Sequence, residues 1–99
     1  MSAGQSIEEF EHESTDIMQQ TDMACRNITA VLEAGGCKPC DLVKVTVFLK
    51  DINDFSNMNK VYKKYFVDAG FSPPARSAFA VGALPAGALV EIEAIAAIP

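Results

Sequence analysis

Arg76, Glu91 and Glu93, all in the last quarter of a 99-residue chain, are residues of the types that bind and activate small polar molecules. A guanidinium is a planar fork that matches a carboxylate through two parallel hydrogen bonds, and a glutamate can position or deprotonate water. That set suits a small carboxylate-bearing substrate. Ala75 to Val81 and Ala88 to Ala96 are β-compatible runs on either side of Gly82-Ala-Leu-Pro-Ala-Gly87, which reads as a hairpin turn. Pairing centred on that turn sets Ala78 opposite Glu91 and Arg76 opposite Glu93. Cross-strand neighbours share a face, so the guanidinium and both carboxylates are expected to converge. The plain alternative is a surface ion pair, worth at most about 1 kcal/mol when exposed.

Other reactive residues offer less. Cys37-Lys-Pro-Cys40 could be a redox dithiol or half of a zinc site. A dithiol of the thioredoxin type places its first cysteine at a helix N-terminus, where the dipole stabilises the thiolate, whereas this pair follows a helix and precedes a strand. Zinc would have to recruit Cys25 and His12, at spacings that match no common site. Both cysteines are expected to be ordinary turn residues, with no metal bound. His12 is the only histidine and sits among acids, so a Ser-His-Asp arrangement has no base; it is expected to be solvated.

The elements that must hold these residues follow from periodicity. Ile17, Thr21, Ala24, Ile28, Val31 and Leu32 recur at helical spacing from about Ser14 to Ala34, and Gly35-Gly36 stops the helix. Within Asp41 to Lys50, Val43, Val45, Val47 and Leu49 alternate with Lys44, Thr46, Phe48 and Lys50, which predicts a strand with one dry face. Asp54 is the expected N-cap of a second helix bearing Phe55, Met58, Val61, Tyr62, Tyr65 and Phe66, a stripe that reads as core. Asn59 lies one turn beyond Phe55 and is either a helix-surface amide or a polar group aimed into a cleft; the pattern alone favours the surface. Gly70 and Pro73-Pro74 lead into the last two strands, the second with Val90, Ile92, Ala94 and Ala96 on one face. The order is helix, strand, helix, strand, strand: one α+β domain over residues 1–99, a small sheet with two helices packed on one face. So thin a sheet leaves edges and one face uncovered, which suggests assembly with copies of itself or a missing strand.

Composition bounds the function. A chain of this length buries only roughly 60–65% of the surface its unfolded form exposes, so its core is marginal. With 49% hydrophobic and 21% charged residues and no apolar run near membrane-spanning length, it is expected to be soluble. Six of its thirteen acids fall before Arg26, the first lysine or arginine, and the net charge of −5 counts against nucleic-acid binding. Three cysteines and an N-terminus without signal-peptide character point to the reducing cytoplasm.

Several segments together resemble the RidA family of reactive-intermediate deaminases, also called the YjgF or L-PSP endoribonuclease family. They are N-I-x-A-V-L-E-A-G-G at Asn27 to Gly36, V-K-V-T-V-F-L-K-D-I-N-D-F at Val43 to Phe55, N-x-x-Y-x-x-Y-F at Asn59 to Phe66, P-A-R-S at Pro74 to Ser77 and L-P-A-G-A-L-V-E-I-E-A-I-A at Leu84 to Ala96. In order and spacing they cover about three quarters of the chain. The resemblance implies a fold like bacterial chorismate mutase with a mixed sheet, assembled as a homotrimer with ligand sites in the clefts between subunits. It implies hydrolysis of 2-aminoacrylate and related enamines or imines to 2-keto acids and ammonia, without a cofactor. Arg76 matches the family's carboxylate-gripping arginine, Glu91 its water-orienting glutamate and Asn59 a pocket-side residue. Ala78 stands at a pocket-lining position where the family often has Cys or Thr. The family's two further N-terminal strands find no convincing match in Met1 to Glu13, so the domain is expected to be N-terminally shortened; Ser2-Ala-Gly-Gln5 is only faintly similar to one strand end. The competing functions are a catalytically inert small-carboxylate binder and, on the family's older name, a ribonuclease or translation inhibitor.

Overall fold

A computed structural model describes residues 16–68, 70 and 72–98. Helix α1, Ile17–Ala34, begins where Asp16 takes an extended conformation and its carboxylate accepts the Met18 N–H at 2.8 Å, satisfying one of the orphan donors of the first turn. It ends in a Schellman motif. Gly36, at φ 82°, lets the Cys37 N–H reach Leu32 O (2.7 Å) while its own N–H reaches Glu33 O (3.1 Å).

Strand β1, Leu42–Leu49, carries the apolar alternation into the core, with Val45, Val47 and Leu49 fully buried. One expectation for this strand fails. A register shift between Leu42 and Lys44 turns Val43 outward, at 50% exposure, and buries Leu42 in its place. A 3-10 turn over Ile52–Asp54 then leads into helix α2, Phe55–Phe66. Asp51, rather than Asp54, caps this junction, its carboxylate accepting the Asn53 N–H at 2.9 Å; Asp54 is already in helical conformation and makes no capping bond. Met58, Val61, Tyr62 and Phe66 of the predicted stripe are buried and Phe55 and Tyr65 partly so, confirming it as core.

Strands β2, Ala75–Ala80, and β3, Val90–Ala96, do not form the expected hairpin. The sheet order is β2-β1-β3, with β2 parallel and β3 antiparallel to β1. The physical reason is that β1 is the most apolar strand and takes the centre. Helix α2 supplies the crossover that a parallel β1–β2 pair requires, and the segment through the Pro85–Gly87 turn steps across β1.

The register sorts the side chains into two layers. Val45, Val47 and Leu49 share a face with Arg76, Ala78 and Ala80 of β2 and with Val90, Ile92 and Ala94 of β3, and both helices pack on that face. Lys44, Thr46, Phe48, Ser77, Phe79, Glu91, Glu93 and Ile95 share the other, which carries no further layer among the described residues. On it Lys44 Nζ donates to Ser77 Oγ (3.1 Å) and the Phe48 and Phe79 rings stack at 6.4 Å. The α+β architecture, a mixed sheet with two helices on one face, is therefore as the sequence led us to expect.

Candidate functional site

Arg76 pairs with Val45 and so projects from the edge strand β2 onto the helix-covered face, where it meets α2. Phe55, Asn59 and Tyr62 lie at spacings of four and three, which brings them onto one side of that helix. The Arg76 guanidinium carbon sits 4.6 Å from the Tyr62 ring centroid and 5.3 Å from that of Phe55, and Nη1 donates to Asn59 Oδ1. Two aromatic faces stabilise the cation and one amide sets its rotation. The remaining guanidinium N–H groups adjoin a cleft of about 480 Å³ lined also by Lys63, Val67, Pro73 and Pro74. Asn59 is thus the cleft-side group and not a surface amide. Ala78, two residues along β2, faces the core on the same side as Arg76.

Glu91 and Glu93 are elsewhere. They pair with Phe48 and Thr46 on the uncovered face, both exposed, so neither Arg76–Glu93 nor Ala78–Glu91 is a cross-strand pair. The convergence expected from a hairpin is overturned because a whole strand intervenes and the alternation of the pleat sends the groups to opposite faces. Within one chain the structure unites Arg76 and Asn59, packs Ala78 against the core outside the cleft lining, and leaves Glu91 apart from them.

The aromatic platform and Lys63 were missed as site features. The platform's signal was present in the spacing of Phe55, Asn59 and Tyr62, which was read only as core. Tyr62 is 2% exposed; burial raises the pKa of its hydroxyl, the Arg76 charge pulls the other way, and Oη has no hydrogen-bond partner among the described residues.

A second polar cluster joins the helices. Tyr65 donates to Asp22 at 2.6 Å, and Asp22 also pairs with Arg26 at 2.8 Å. Burial, then the bond to Asp22, pushes the Tyr65 hydroxyl up to about 12. Cys25 beside them is fully buried, and its thiol is likewise pushed up to about 12 by burial and by the Asp22 charge, which keeps it protonated and unreactive. Cys37 packs into the core and Cys40 is exposed in the turn before β1; all three cysteines are free. Among the described residues no group of three or more His, Cys, Asp or Glu side chains is placed to hold a metal. His12 and the Ser2 to Gln5 segment lie outside the described residues.

A mixed three-stranded sheet backed by two helices, with an arginine cleft at one edge and two glutamates on the bare face, defines a small α+β domain. The endoribonuclease L-PSP family model matches residues 2–98. The chain belongs to that family, the RidA or YjgF family its segments resemble. A RutC family protein of Pyrococcus horikoshii is 54% identical over 81 residues, which are 82% of this chain and 62% of the relative. The 2-iminobutanoate/2-iminopropanoate deaminase of Capra hircus is 51% identical over 80 residues, 81% of this chain and 56% of the relative. Among solved structures, E. coli TdcF with bound serine superposes with a TM-score of 0.78 at 40% identity, covering 82% of this chain and 64% of that one. The chain spans about three fifths of the length of the relatives it matches. No helix among the described residues is long and apolar enough to cross a membrane.

Proposed function

We propose that this chain is a 2-iminobutanoate/2-iminopropanoate deaminase, which hydrolyses enamines and imines such as 2-aminoacrylate to 2-keto acids and ammonia. Arg76 carries the reading. A guanidinium stacked on two rings, fixed by Asn59 and open to a cleft, is prepared to receive a small carboxylate. Relatives named for this activity and a relative holding serine, itself a small carboxylate, support the same substrate class. With the carboxylate held, an enamine first becomes the imine by gaining a proton at its methylene carbon and losing one from nitrogen; water then adds to the imine carbon, the carbinolamine expels ammonia and the keto acid remains. Glu91 orients the water. Because Glu91 lies on the opposite sheet face from Arg76, the site is completed between copies, with the bare face of one subunit set beside the arginine cleft of the next in a homotrimer. The three free thiols fit a cytoplasmic setting.

The test is release of ammonia and keto acid from an enamine generated in situ by a serine or threonine dehydratase. Arg76→Ala is expected to lower kcat/KM by roughly tenfold to hundredfold and Glu91→Gln by about a hundredfold or more. No acceleration over buffer, or an Arg76→Ala protein as active as the original, would sink the proposal. The separation of Glu91 from the arginine cleft within one chain favours one second reading, an inert binder of small carboxylates. Calorimetric binding of 2-ketobutyrate without turnover would establish it. Ribonuclease action has no such support, since the chain carries a net charge of −5.

A further inference from the structure

The helix side of the arginine cleft carries a second cation. Asn59, Lys63 and Val67 recur at intervals of four along α2 and at its C-cap, so they stand one above another on one side of the helix, and all three line the cleft. Asn59 lies level with the Arg76 guanidinium, to which it is hydrogen-bonded, and Lys63 is one helical turn, about 5.4 Å, further on. Lys63 is exposed, and its ammonium has no hydrogen-bond or ion-pair partner among the described residues. Asp68 engages it through the backbone alone, its N–H reaching Lys63 O at 2.8 Å. A cation in the last turn of a helix also complements the helix dipole. Lys64 meets that need in the same turn without lining the cleft, so the dipole gives no account of a second charge facing the space beside Arg76. The space itself, about 480 Å³, is far larger than a three-carbon imino acid and suits a longer ligand.

We propose that Lys63 is a specificity-determining residue, and that the cleft prefers imino and keto acids bearing a second carboxylate at the far end of a four- or five-carbon chain. Arg76 takes the carboxylate beside the imine carbon through its planar fork. The Lys63 ammonium, a point charge on a flexible stem, takes the distal carboxylate, and the carbon chain lies between them along Pro73 and Pro74. In a chain of net charge −5, two cations on one cleft make a locally positive site. A dianion answers both charges, whereas a monoanion leaves one unmatched. The inference deepens the deaminase reading and rests on it for the reaction. Both cations belong to the same chain, so the binding preference does not depend on Glu91.

Calorimetry on the whole chain tests the preference with 2-oxoglutarate and 2-oxopentanoate, which share a five-carbon chain and differ in the distal carboxylate. 2-Oxoglutarate is expected to bind about fivefold more tightly, as much as one exposed ion pair supplies, and its advantage to shrink as salt is added. Lys63→Gln abolishes the advantage. Lys64→Gln, which removes the same charge from the same helical turn but off the cleft, keeps it. In turnover, the imine of glutamate, formed in situ by an amino-acid oxidase, is expected to show about fivefold higher kcat/KM than the imine of norvaline, and Lys63→Gln to level the two. The proposal is overturned if the two keto acids bind equally, if neither binds, if the advantage survives in Lys63→Gln, or if Lys64→Gln loses it to the same extent. Hydrolysis of 2-aminoacrylate without the preference overturns this inference and leaves the deaminase reading standing. The preference without any hydrolysis supports the Lys63 subsite and overturns the deaminase reading instead.

Discussion

Arg76 has given up part of its hydration to lie against two aromatic rings, and Asn59 is the one described side chain that returns a hydrogen bond to it. Removing that acceptor leaves a half-buried cation undersatisfied and free to rotate. Asn59→Ala is accordingly expected to cost about 1–3 kcal/mol of stability and to weaken 2-ketobutyrate binding about tenfold, measured by urea denaturation and calorimetry. Tyr62→Phe should do the opposite. It keeps the ring beneath the guanidinium and deletes a buried hydroxyl without a partner, so the urea midpoint is expected to stay level or rise, by up to about 1 kcal/mol. Arg76 was legible in the sequence because few residue types bind carboxylates. The identity of its supports was not, since Phe55 and Tyr62 serve the core and the cation with the same rings. Glu91 was legible as a residue, but its face depended on strand order.

The two helices and the central strand were readable because their apolar periods are long and end in recognisable caps. The pairing of β2 was not. A short Gly- and Pro-containing connection imitates a hairpin, and the competing signal, a helix between β1 and β2 that calls for a parallel crossover, is a statement about three elements at once. The bulge at Val43 was equally invisible, since Leu42 and Val43 are interchangeable by hydrophobicity. The interface between α1 and α2 has its own signature in alkali. Folding raises the Cys25 thiol from 9.0 to about 12 and the Tyr65 hydroxyl from 10.0 to about 12. Raised acids of this kind contribute fully below their unfolded values, and the contribution is lost as pH climbs towards the folded ones. The urea midpoint is expected to show no loss from these groups up to about pH 9 and to fall above it. Cys25→Ala should delay that onset to about pH 10, where Tyr65 takes over.

Among the described residues the domain is two layers thick, and Phe79 at 53% and Ile95 at 62% exposure stand on the sheet face that no described element covers. A homotrimer that uses this face should elute with three times the 10.6 kDa mass of one chain. Phe79→Lys, which places a charge beside Phe48 on the uncovered face without touching the core, is expected to shift that mass to the monomer in light scattering. The cysteines give the fold a built-in chronometer. Cys40 is exposed, whereas Cys37 is 8% exposed and Cys25 fully buried and held protonated. Maleimide added to the native chain should label Cys40 on mixing and stall at one adduct. The second and third adducts then appear only as the domain opens, so mass spectrometry of labelling against time reads the lifetime of the folded state without denaturant, dye or mutation.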